Sequence, residues 1–498
     1  MQQRNEKFKN LVFYEIYPTS FYDSNNDGIG DLNGIRKKLP YIKELGCNAI
    51  WLNPFFTSPF KDGGYDVTNF FDVDKRFGNL KDFENLIKDA NKLGIKIIID
   101  CVAGHASEDN YEFLQSGKEK RNEYSDLFIW NDTVWQMPEG YKFVSGRFNR
   151  NANYLVNFFS FQPAFNFGFN KITHPKWQMS YKDKRTFKAR DYIVKIMKFW
   201  LKKGAAGFRV DMAASLVKND DDKSGTIKVW EYIFSRVRKE YPNAFFVSEW
   251  SEPDKAFDAG FDCDFVLDHW TNFYHKLTRS RPENPGKAVL NGGDTKVFVK
   301  DLKWRYEQSL KHHGYLGIIS GNHDTPRVAN ELSLPKLKMF YMFMFMMPGI
   351  PFIYYGDEIM MKDANIPNKD GGFQRVGART PMQWDKSKNA GFSKADASKL
   401  YLPVNKASNV NVKDDISNKN SLYHTIKALI KIRKSYPAIL SPKMSFTVKD
   451  NVITLNRDNL ELILNCSNKK VIKLNGKILF TTGKNQVVKP SEGAIIIK

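Results

Sequence analysis

The hydrophobic residues of the chain alternate between short runs that end in polar or small residues and longer stretches with helical periodicity. Short apolar runs predict strands, and the longer amphipathic stretches predict helices. A strand followed by a helix, repeated about eight times, is typical of a parallel (β/α)8 barrel, which is an α/β fold. The predicted strands span residues 12–17, 49–53, 96–101, 207–211, 245–249, 265–268, 316–320 and 352–356. The helical stretches between them include residues 80–93, 192–203, 227–241 and 334–347.

A doubly wound open sheet is the alternative fold for this pattern. It is disfavoured because no glycine-rich phosphate turn follows the first predicted strand. Polar residues also recur at the carboxyl ends of many predicted strands, which is where a barrel carries its active site. The barrel is therefore the predicted fold.

Two parts of the chain depart from this alternation of strands and helices. Residues 105–175 are rich in Asn, Phe, Tyr and Gly without a helical period, which predicts an inserted subdomain after the third strand. A last helix is predicted at 422–435, and the short alternating strands that follow it predict a small antiparallel β domain. The expected domains are the barrel at 1–104 and 176–435, the insertion at 105–175 and the β domain at 436–498.

The composition narrows the class of protein. A formal charge of +21 invites nucleic-acid binding, but the lysines are dispersed through helical stretches such as 195–203, as on solvated helix faces. We therefore expect no nucleic-acid partner. The four cysteines have no metal-ligand spacing, which predicts buried free thiols.

Neither a signal peptide nor a membrane span is predicted. The first ten residues are polar and charged, so a cytoplasmic protein is expected, with a trimmed secreted form left open. The most apolar stretch, residues 339–349, is too short to cross a bilayer and is expected to be a buried helix. We expect a monomer without a membrane partner.

The polar residues at the predicted strand ends form an unusual set of carboxylates, histidines and an arginine. In a barrel these side chains would converge on one mouth. They are Asp100, His105, Arg209, Asp211, Glu249, His323 and Asp324.

Two of the carboxylates have different neighbours, as glycoside hydrolysis requires. Arg209 is two residues before Asp211, on the same face of the strand, and its guanidinium is expected to lower the pKa of Asp211 and keep this nucleophile ionised. Glu249 lies between an apolar run and Trp250, which is expected to raise its pKa and favour a protonated acid.

Four ordered segments resemble the signature regions of the α-amylase superfamily: DCVAGH at 100–105, GFRVD at 207–211, VSEW at 247–250 and NHD at 322–324. The resemblance spans about residues 12–435. It implies a retaining hydrolase of α-glucosidic bonds, with an α-glucan oligosaccharide or polysaccharide as substrate. The implied roles are Asp211 as nucleophile, Glu249 as acid/base, Asp324 as third carboxylate, His105, Arg209 and His323 as ligands of the glucosyl unit, and Tyr65 as its aromatic platform.

A further segment, GARTPMQWD at 377–385, is similar to one found in oligosaccharide α-glucosidases and trehalose-forming relatives. In exo-acting relatives an Asp–Arg pair closes the non-reducing end, and Asp62 and Arg379 stand at the matching positions. An exo-acting α-glucosidase is therefore slightly favoured. An endo-acting α-amylase and a transglycosylase such as a trehalose-forming isomerase remain alternatives. A non-catalytic sugar-binding protein is disfavoured because all three carboxylates are present.

A calcium site is predicted in the segment DSNNDGIGD, residues 23–31, because alternating oxygen-bearing side chains around a Gly turn can surround a hard cation. The segment begins like an EF-hand loop, but the twelfth position is Gly34. It resembles instead the calcium loop after the first strand of some α-glucosidases and amylases. The alternative is a plain Asx-rich turn. The resemblance implies a structural Ca²⁺ held by Asp23, Asn25, Asp27, the Ile29 carbonyl and Asp31.

Three positions depart from the superfamily pattern. Met212-Ala213 follow the predicted nucleophile and match neither usual linkage pattern, so α-1,4 and α-1,6 preference both stay open. Ala164 replaces an Asp and Gly104 replaces an Asn, so the calcium sites that relatives build there are not expected.

Overall fold

A computed structural model describes residues 6–267, 274–281, 285–369, 375–484 and 486–498. In this part of the chain the strands are β1 (Phe13–Ile16), β2 (Ala49–Leu52), β3 (Phe56–Thr57), β4 (Asn69–Val73), β5 (Lys96–Val102), β6 (Phe143–Val144), β7 (Tyr154–Leu155), β8 (Gly207–Asp211), β9 (Phe245–Ser248), β10 (Cys263–Phe265), β11 (Tyr315–Ile319), β12 (Ile350–Tyr354), β13 (Ser445–Lys449), β14 (Val452–Arg457), β15 (Leu460–Asn465), β16 (Ile472–Lys473), β17 (Lys477–Thr481), β18 (Val487–Val488) and β19 (Gly493–Ile497). The helices are α1 (Leu32–Leu45), α2 (Leu80–Lys92), α3 (Tyr111–Ser116), α4 (Phe187–Lys202), α5 (Ser224–Glu240), α6 (Pro253–Asp258), α7 (Lys296–Lys311), α8 (Leu334–Met346), α9 (Val412–Ser417) and α10 (Leu422–Ser435).

Eight of the described strands close into the predicted parallel barrel. Their order around it is β1, β2, β5, β8, β9, β10, β11 and β12, and β12 pairs with β1 to complete the ring. Their residues are almost all buried, because one face fills the barrel and the other packs against helices. The sixth strand, Cys263–Phe265, begins earlier than predicted, and Asp268 of the predicted run lies outside the described residues.

The interval between β5 and α4 contains the short helix α3 and the two-stranded sheet of β6 and β7. Its end returns to the barrel, where Ala164 forms an antiparallel bridge with His105 and the Phe165 N–H donates to the Gly104 carbonyl at 3.1 Å. The backbone of residues 164–165 thus ties the insertion to the end of β5, without the Asp side chain found in relatives.

Helix α8 is buried on every side from Met339 onward, as expected for this apolar stretch. Met339 to Met347 are at most 1% exposed. The helix packs against α10 and against β15 and β19 of the antiparallel sheet β13-β14-β15-β19-β17. A helix that is hydrophobic all round is explained by such packing.

Two expectations from composition are confirmed for the described residues. Cys47, Cys101, Cys263 and Cys466 are free and buried. No described helix combines the length and apolarity that crossing a membrane would need.

Candidate active site

The predicted site residues lie at the carboxyl ends of the barrel strands. Arg209 and Asp211 are on β8, two residues apart, so both side chains point to the same face. Glu249 follows β9 directly, and His323 and Asp324 lie in the loop after β11. Parallel strands bring their carboxyl ends to one end of the barrel, which is why residues distant in sequence meet there.

Arg209 connects three carboxylates. Its Nη1 lies 2.6 Å from Asp100 Oδ1 and 2.9 Å from Asp211 Oδ1, and its Nη2 lies 2.7 Å from Glu249 Oε1. The arginine is fully buried. One guanidinium therefore fixes side chains from β5, β8 and the end of β9, and it holds the carboxyl groups of Asp211 and Glu249 close together.

The electrostatics of Asp211 differ from the sequence-based expectation. Burial and the neighbouring Glu249 carboxylate raise the pKa of Asp211, and Arg209 offsets this effect only in part. The expectation was therefore right that Arg209 lowers the pKa of Asp211, and wrong in its net result. It counted the guanidinium and left out the cost of burying a charge beside another carboxylate.

Met212, which follows Asp211, orients the second carboxylate. Its backbone has a φ of 45°, in the left-handed region, and its N–H donates to Glu249 Oε2 at 2.8 Å. Such a conformation in a residue with a side chain costs energy and recurs at functional sites. No pattern in the sequence indicates this contact.

Asp324 is held by three positively charged groups. Its Oδ1 accepts hydrogen bonds from Arg375 and Arg379, each at 2.7 Å, and its Oδ2 lies 3.1 Å from His323 Nε2. Burial alone would raise the pKa of Asp324, but these cations hold it well below its usual range. Asp324 is therefore an ionised carboxylate at neutral pH.

Asp62 forms an ion pair, but its partner is Arg375. Arg375 Nη2 contacts Asp62 Oδ1, while Gln162 Nε2 donates to Asp62 Oδ2 at 2.7 Å. The predicted partner, Arg379, instead donates to Asp324 and to the His323 carbonyl. The described direct contact of Asp62 is thus with Arg375, while Arg379 is a further nearby cation that lowers the pKa of Asp62.

Tyr65 and His105 complete the floor of the site. The Tyr65 hydroxyl lies 3.2 Å from Asp100 Oδ2 and 2.8 Å from His323 Nε2, and its ring stacks on the His323 ring at 5.3 Å between centroids. His105 Nε2–H donates to the Tyr65 carbonyl at 3.1 Å, and burial lowers the pKa of His105 to about 4. His105 is therefore neutral at physiological pH.

These groups surround an open pocket of ≈ 350 Å³. A volume near the lower end of the range for small-molecule sites suits a compact ligand. Arg209, His323 and Arg379 do not line it. They are fully buried behind the pocket wall, where they contact the lining carboxylates. The lining residues are Asp62, Tyr65, His105, Phe158, Asp211, Met212, Ala214, Ser215, Glu249, Trp250, Leu267, Asp324 and Arg375.

A lysine links the insertion to the barrel near this pocket. Lys218 Nζ donates to Asn157 Oδ1 at 2.8 Å and to the Ser215 carbonyl at 2.7 Å. Asn157 Nδ2 in turn lies 3.2 Å from His105 Nδ1. A side chain at Gly104 would meet Asn157, since an added Cβ would lie 2.6 Å from Asn157 Nδ2. The departure at Gly104 thus makes room for this arrangement.

The predicted calcium loop is closed by its own hydrogen bonds. Asp23 accepts from the N–H groups of Asn26 at 2.7 Å and Gly28 at 2.8 Å, and Asp27 accepts from the Ile29 N–H at 2.9 Å and from Asn25 Nδ2 at 2.9 Å.

Asp31 has a different role from the other loop carboxylates. It caps helix α1 by accepting from the Gly34 N–H at 2.7 Å, and it also binds Ser24. Among the described residues no group of three or more His, Cys, Asp or Glu is arranged to hold a metal ion. The donors are chemically suited to calcium, but this set is not assembled around one point, so calcium stays a prediction.

Comparison with known proteins agrees with this geometry. The model of the α-amylase catalytic domain family matches residues 15–441. An oligo-1,6-glucosidase of Parageobacillus thermoglucosidasius is 30% identical, with 95% of this chain and 93% of that protein covered. Maltase A2 of Drosophila melanogaster is 32% identical, with 86% of this chain and 79% of that protein covered.

Among solved structures, trehalose-6-phosphate hydrolase of Bacillus licheniformis superposes with a TM-score of 0.82 at 24% identity, covering 99% of each chain. This likeness shows the shared fold. With the family match it defines the class of protein: the chain belongs to the α-amylase family and is a glycoside hydrolase of that family.

Proposed function

We propose that the protein is an exo-acting α-glucosidase that removes glucose from the non-reducing end of short α-glucans, with retention of configuration. The observation that carries the proposal is the Asp62–Arg375–Asp324 chain. Arg375 contacts both carboxylates and lines the pocket itself, so charged side chains close one end of it. A site closed beyond one sugar unit admits a chain end and excludes the middle of a polymer.

Asp211 is the proposed nucleophile and Glu249 the proposed acid/base. Asp211 attacks the anomeric carbon while Glu249 gives its proton to the departing oxygen, which leaves a glucosyl ester on Asp211. A water molecule then attacks the same carbon, Glu249 takes its proton, and Asp211 leaves as a carboxylate. In retaining enzymes the two carboxyl groups are about 5 to 5.5 Å apart. The shared contact of Asp211 and Glu249 with Arg209 supports such a short separation.

The position of the proton matters for this assignment. The reactive form has the negative charge on Asp211, which attacks the sugar, and the proton on Glu249, which passes to the departing oxygen. Asp324, held ionised by Arg375, Arg379 and His323, is proposed to bind sugar hydroxyls at the bottom of the pocket.

The test is a time course of products from maltoheptaose and from isomaltotriose, separated by chromatography. Glucose released one unit at a time supports the proposal, and the preferred substrate gives the linkage. A spread of intermediate maltodextrins contradicts exo action and indicates an endo-acting amylase. Isomerised disaccharide in excess over glucose, from maltose at high concentration, indicates a transglycosylase instead.

The finer expectations from the sequence stay proposals. These are a structural calcium ion in the loop at residues 23–31, a monomeric state and a cytoplasmic location. Of these, calcium has a direct stability test, given below.

A further inference from the structure

His323 lies between two carboxylates. Its Nδ1 is 2.8 Å from Glu15 Oε1, and its Nε2 is 3.1 Å from Asp324 Oδ2. A neutral imidazole has one N–H and one nitrogen lone pair, whereas an imidazolium has two N–H donors. Since an ionised carboxylate only accepts hydrogen bonds, the ring satisfies both neighbours only when both of its nitrogens are protonated.

Of the two carboxylates beside His323, the proposed mechanism uses Asp324 and gives no role to Glu15. It lies on β1, it is 1% exposed, and it does not line the pocket. Its Oε1 also accepts from Asn53 Nδ2 at 3.2 Å and faces the His323 N–H at 3.4 Å. The carboxylate therefore contacts both the side chain and the backbone of His323.

The ring itself is fixed between two aromatic side chains. The Tyr65 ring is parallel to it within 9°, and the Tyr17 ring is parallel within 5° at 6.4 Å between centroids. Aromatic faces attract cations, so this stacking also favours a charged imidazole. His323 is fully buried, so its charge must be balanced by neighbouring protein groups.

We propose that Glu15 is a positioning residue: its carboxylate holds the His323 ring doubly protonated, with Nε2–H directed at Asp324, a carboxylate that lines the pocket. Glu15 acts through His323 and touches no reacting atom. The proposal rests on the proposed function, in which this pocket binds sugar. Asp324 and Tyr65, both in contact with His323, line the pocket directly.

The charges around His323 agree with the proposal. Burial alone would lower the pKa of His323, but the Asp324 and Glu15 carboxylates raise it to about 9. The titratable and charged groups that face the ring or its near neighbours come from six segments of the chain. They are Glu15, Tyr17, Tyr65, Asp100, Arg209, Asp324, Arg375 and Arg379.

The first experiment measures the titration of His323 by NMR in histidine-labelled, ligand-free protein, with the signal assigned by its absence in H323N. In the wild type we expect a midpoint near 9. In E15Q, which preserves the shape of the side chain and removes its charge, we expect a midpoint lower by roughly one unit or more. A wild-type midpoint at or below about 6.5, the ordinary value for histidine, overturns the proposal without any variant.

E358Q is the matched control. Glu358 is also a fully buried glutamate, and its Oε1 accepts from the hydroxyls of Tyr14 and Tyr41, each at 2.6 Å, rather than from His323. E358Q should leave the His323 midpoint unchanged. An unchanged midpoint in E15Q as well overturns the proposal, because Asp324 alone would then hold the proton. Melting curves establish that both variants are folded, and E15D, which keeps the charge, replaces E15Q if that variant does not fold.

The second experiment is the pH profile of kcat/KM on an α-glucoside. At pH 8 we expect E15Q to be slower than the wild type by roughly twofold or more, because a midpoint lowered by about one unit from 9 leaves about half of the His323 rings protonated at that pH. The ratio should shrink toward pH 5.5, where His323 is protonated even without Glu15. A ratio that does not change with pH overturns the proposal. A wild type inactive on α-glucosides contradicts the proposed function instead, and the NMR titration still decides the role of Glu15.

Discussion

The mouth of the barrel and the loop at residues 23–31 both concentrate carboxylates, but their partners differ. At the mouth the carboxylates of Asp211 and Asp324 contact guanidinium and imidazole groups, and two of these partners, Arg375 and Arg379, come from a distant segment. In the loop, Asp23 and Asp27 accept mainly from N–H groups within five residues of themselves.

The difference shows what makes a carboxylate available for chemistry. Short-range hydrogen bonds from a loop's own backbone satisfy the oxygens and fix the loop, which is how Asx turns work. Contacts with cations keep a carboxylate ionised where it lines an open pocket, as with Asp324. The carboxylates alone do not separate the two cases, whereas their partners do: cationic side chains at the mouth and mainly backbone N–H groups in the loop.

The largest expected effect comes from exchanging one carboxylate in each region for an amide. D211N should lower turnover by about 10⁴-fold or more, because an amide cannot form the covalent intermediate. D27N, an identical exchange in the loop, should retain nearly the wild-type rate. Release of nitrophenol from a nitrophenyl α-glucoside measures both. A D211N variant with a tenth or more of wild-type turnover would exclude Asp211 as the nucleophile.

The next effect concerns the closed end of the pocket. R375A removes the cation between Asp62 and Asp324, and we expect kcat/KM on maltose to fall roughly tenfold to a hundredfold, as for a lost charged contact. The opened pocket should also admit longer chains, so that maltoheptaose yields intermediate products.

The control for this change is R121A, since Arg121 pairs with Asp126 within the insertion, away from the pocket. It should leave both the rate and the product pattern unchanged. An R375A variant that still releases only glucose at the wild-type rate would contradict the role given to Arg375.

The sequence predicted the parts of this site that depend on strand periodicity. Arg209, Asp211 and Glu249 follow from the alternation of β8 and β9 and from their position at strand ends. Arg375 was missed because it lies in a segment without periodicity and pairs with Asp62 across 313 residues.

Two other features have local causes. Asp31, a predicted calcium ligand, also caps α1, and a sequence signal for the cap existed: an Asp three residues before the glycine whose N–H it accepts, at the start of an amphipathic stretch. The left-handed backbone of Met212 has no such signal, because only the packed structure imposes that conformation on a residue with a side chain.

A smaller expected effect is a difference between the two regions in how the free energy of unfolding depends on pH. The folded-state pKa of His323 is raised to about 9, above about 6.5 in the unfolded chain. Its contribution is therefore fully present below pH 6.5 and lost as the pH rises through 9. We expect the difference in unfolding free energy between wild type and H323N to fall by up to roughly 3 kcal/mol over this window.

Urea unfolding at pH 6, 7.5 and 9.5 measures this difference. D27N, which changes no group that titrates in the window, should follow the wild-type curve. Parallel curves for wild type and H323N would show that the buried histidine does not bind an additional proton on folding.

The smallest expected effect tests whether the loop binds calcium at all. A bound ion stabilises only the folded state, by about 2.7 kcal/mol at a concentration of 100 times the Kd. This corresponds to a rise of several degrees in melting temperature over that in EDTA. D27N should abolish the rise. D31A should lower the melting temperature in EDTA and in calcium alike, because it removes the cap of α1 at a cost of about 1 kcal/mol. Equal wild-type melting temperatures in EDTA and in calcium would mean that hydrogen bonds hold the loop without an ion.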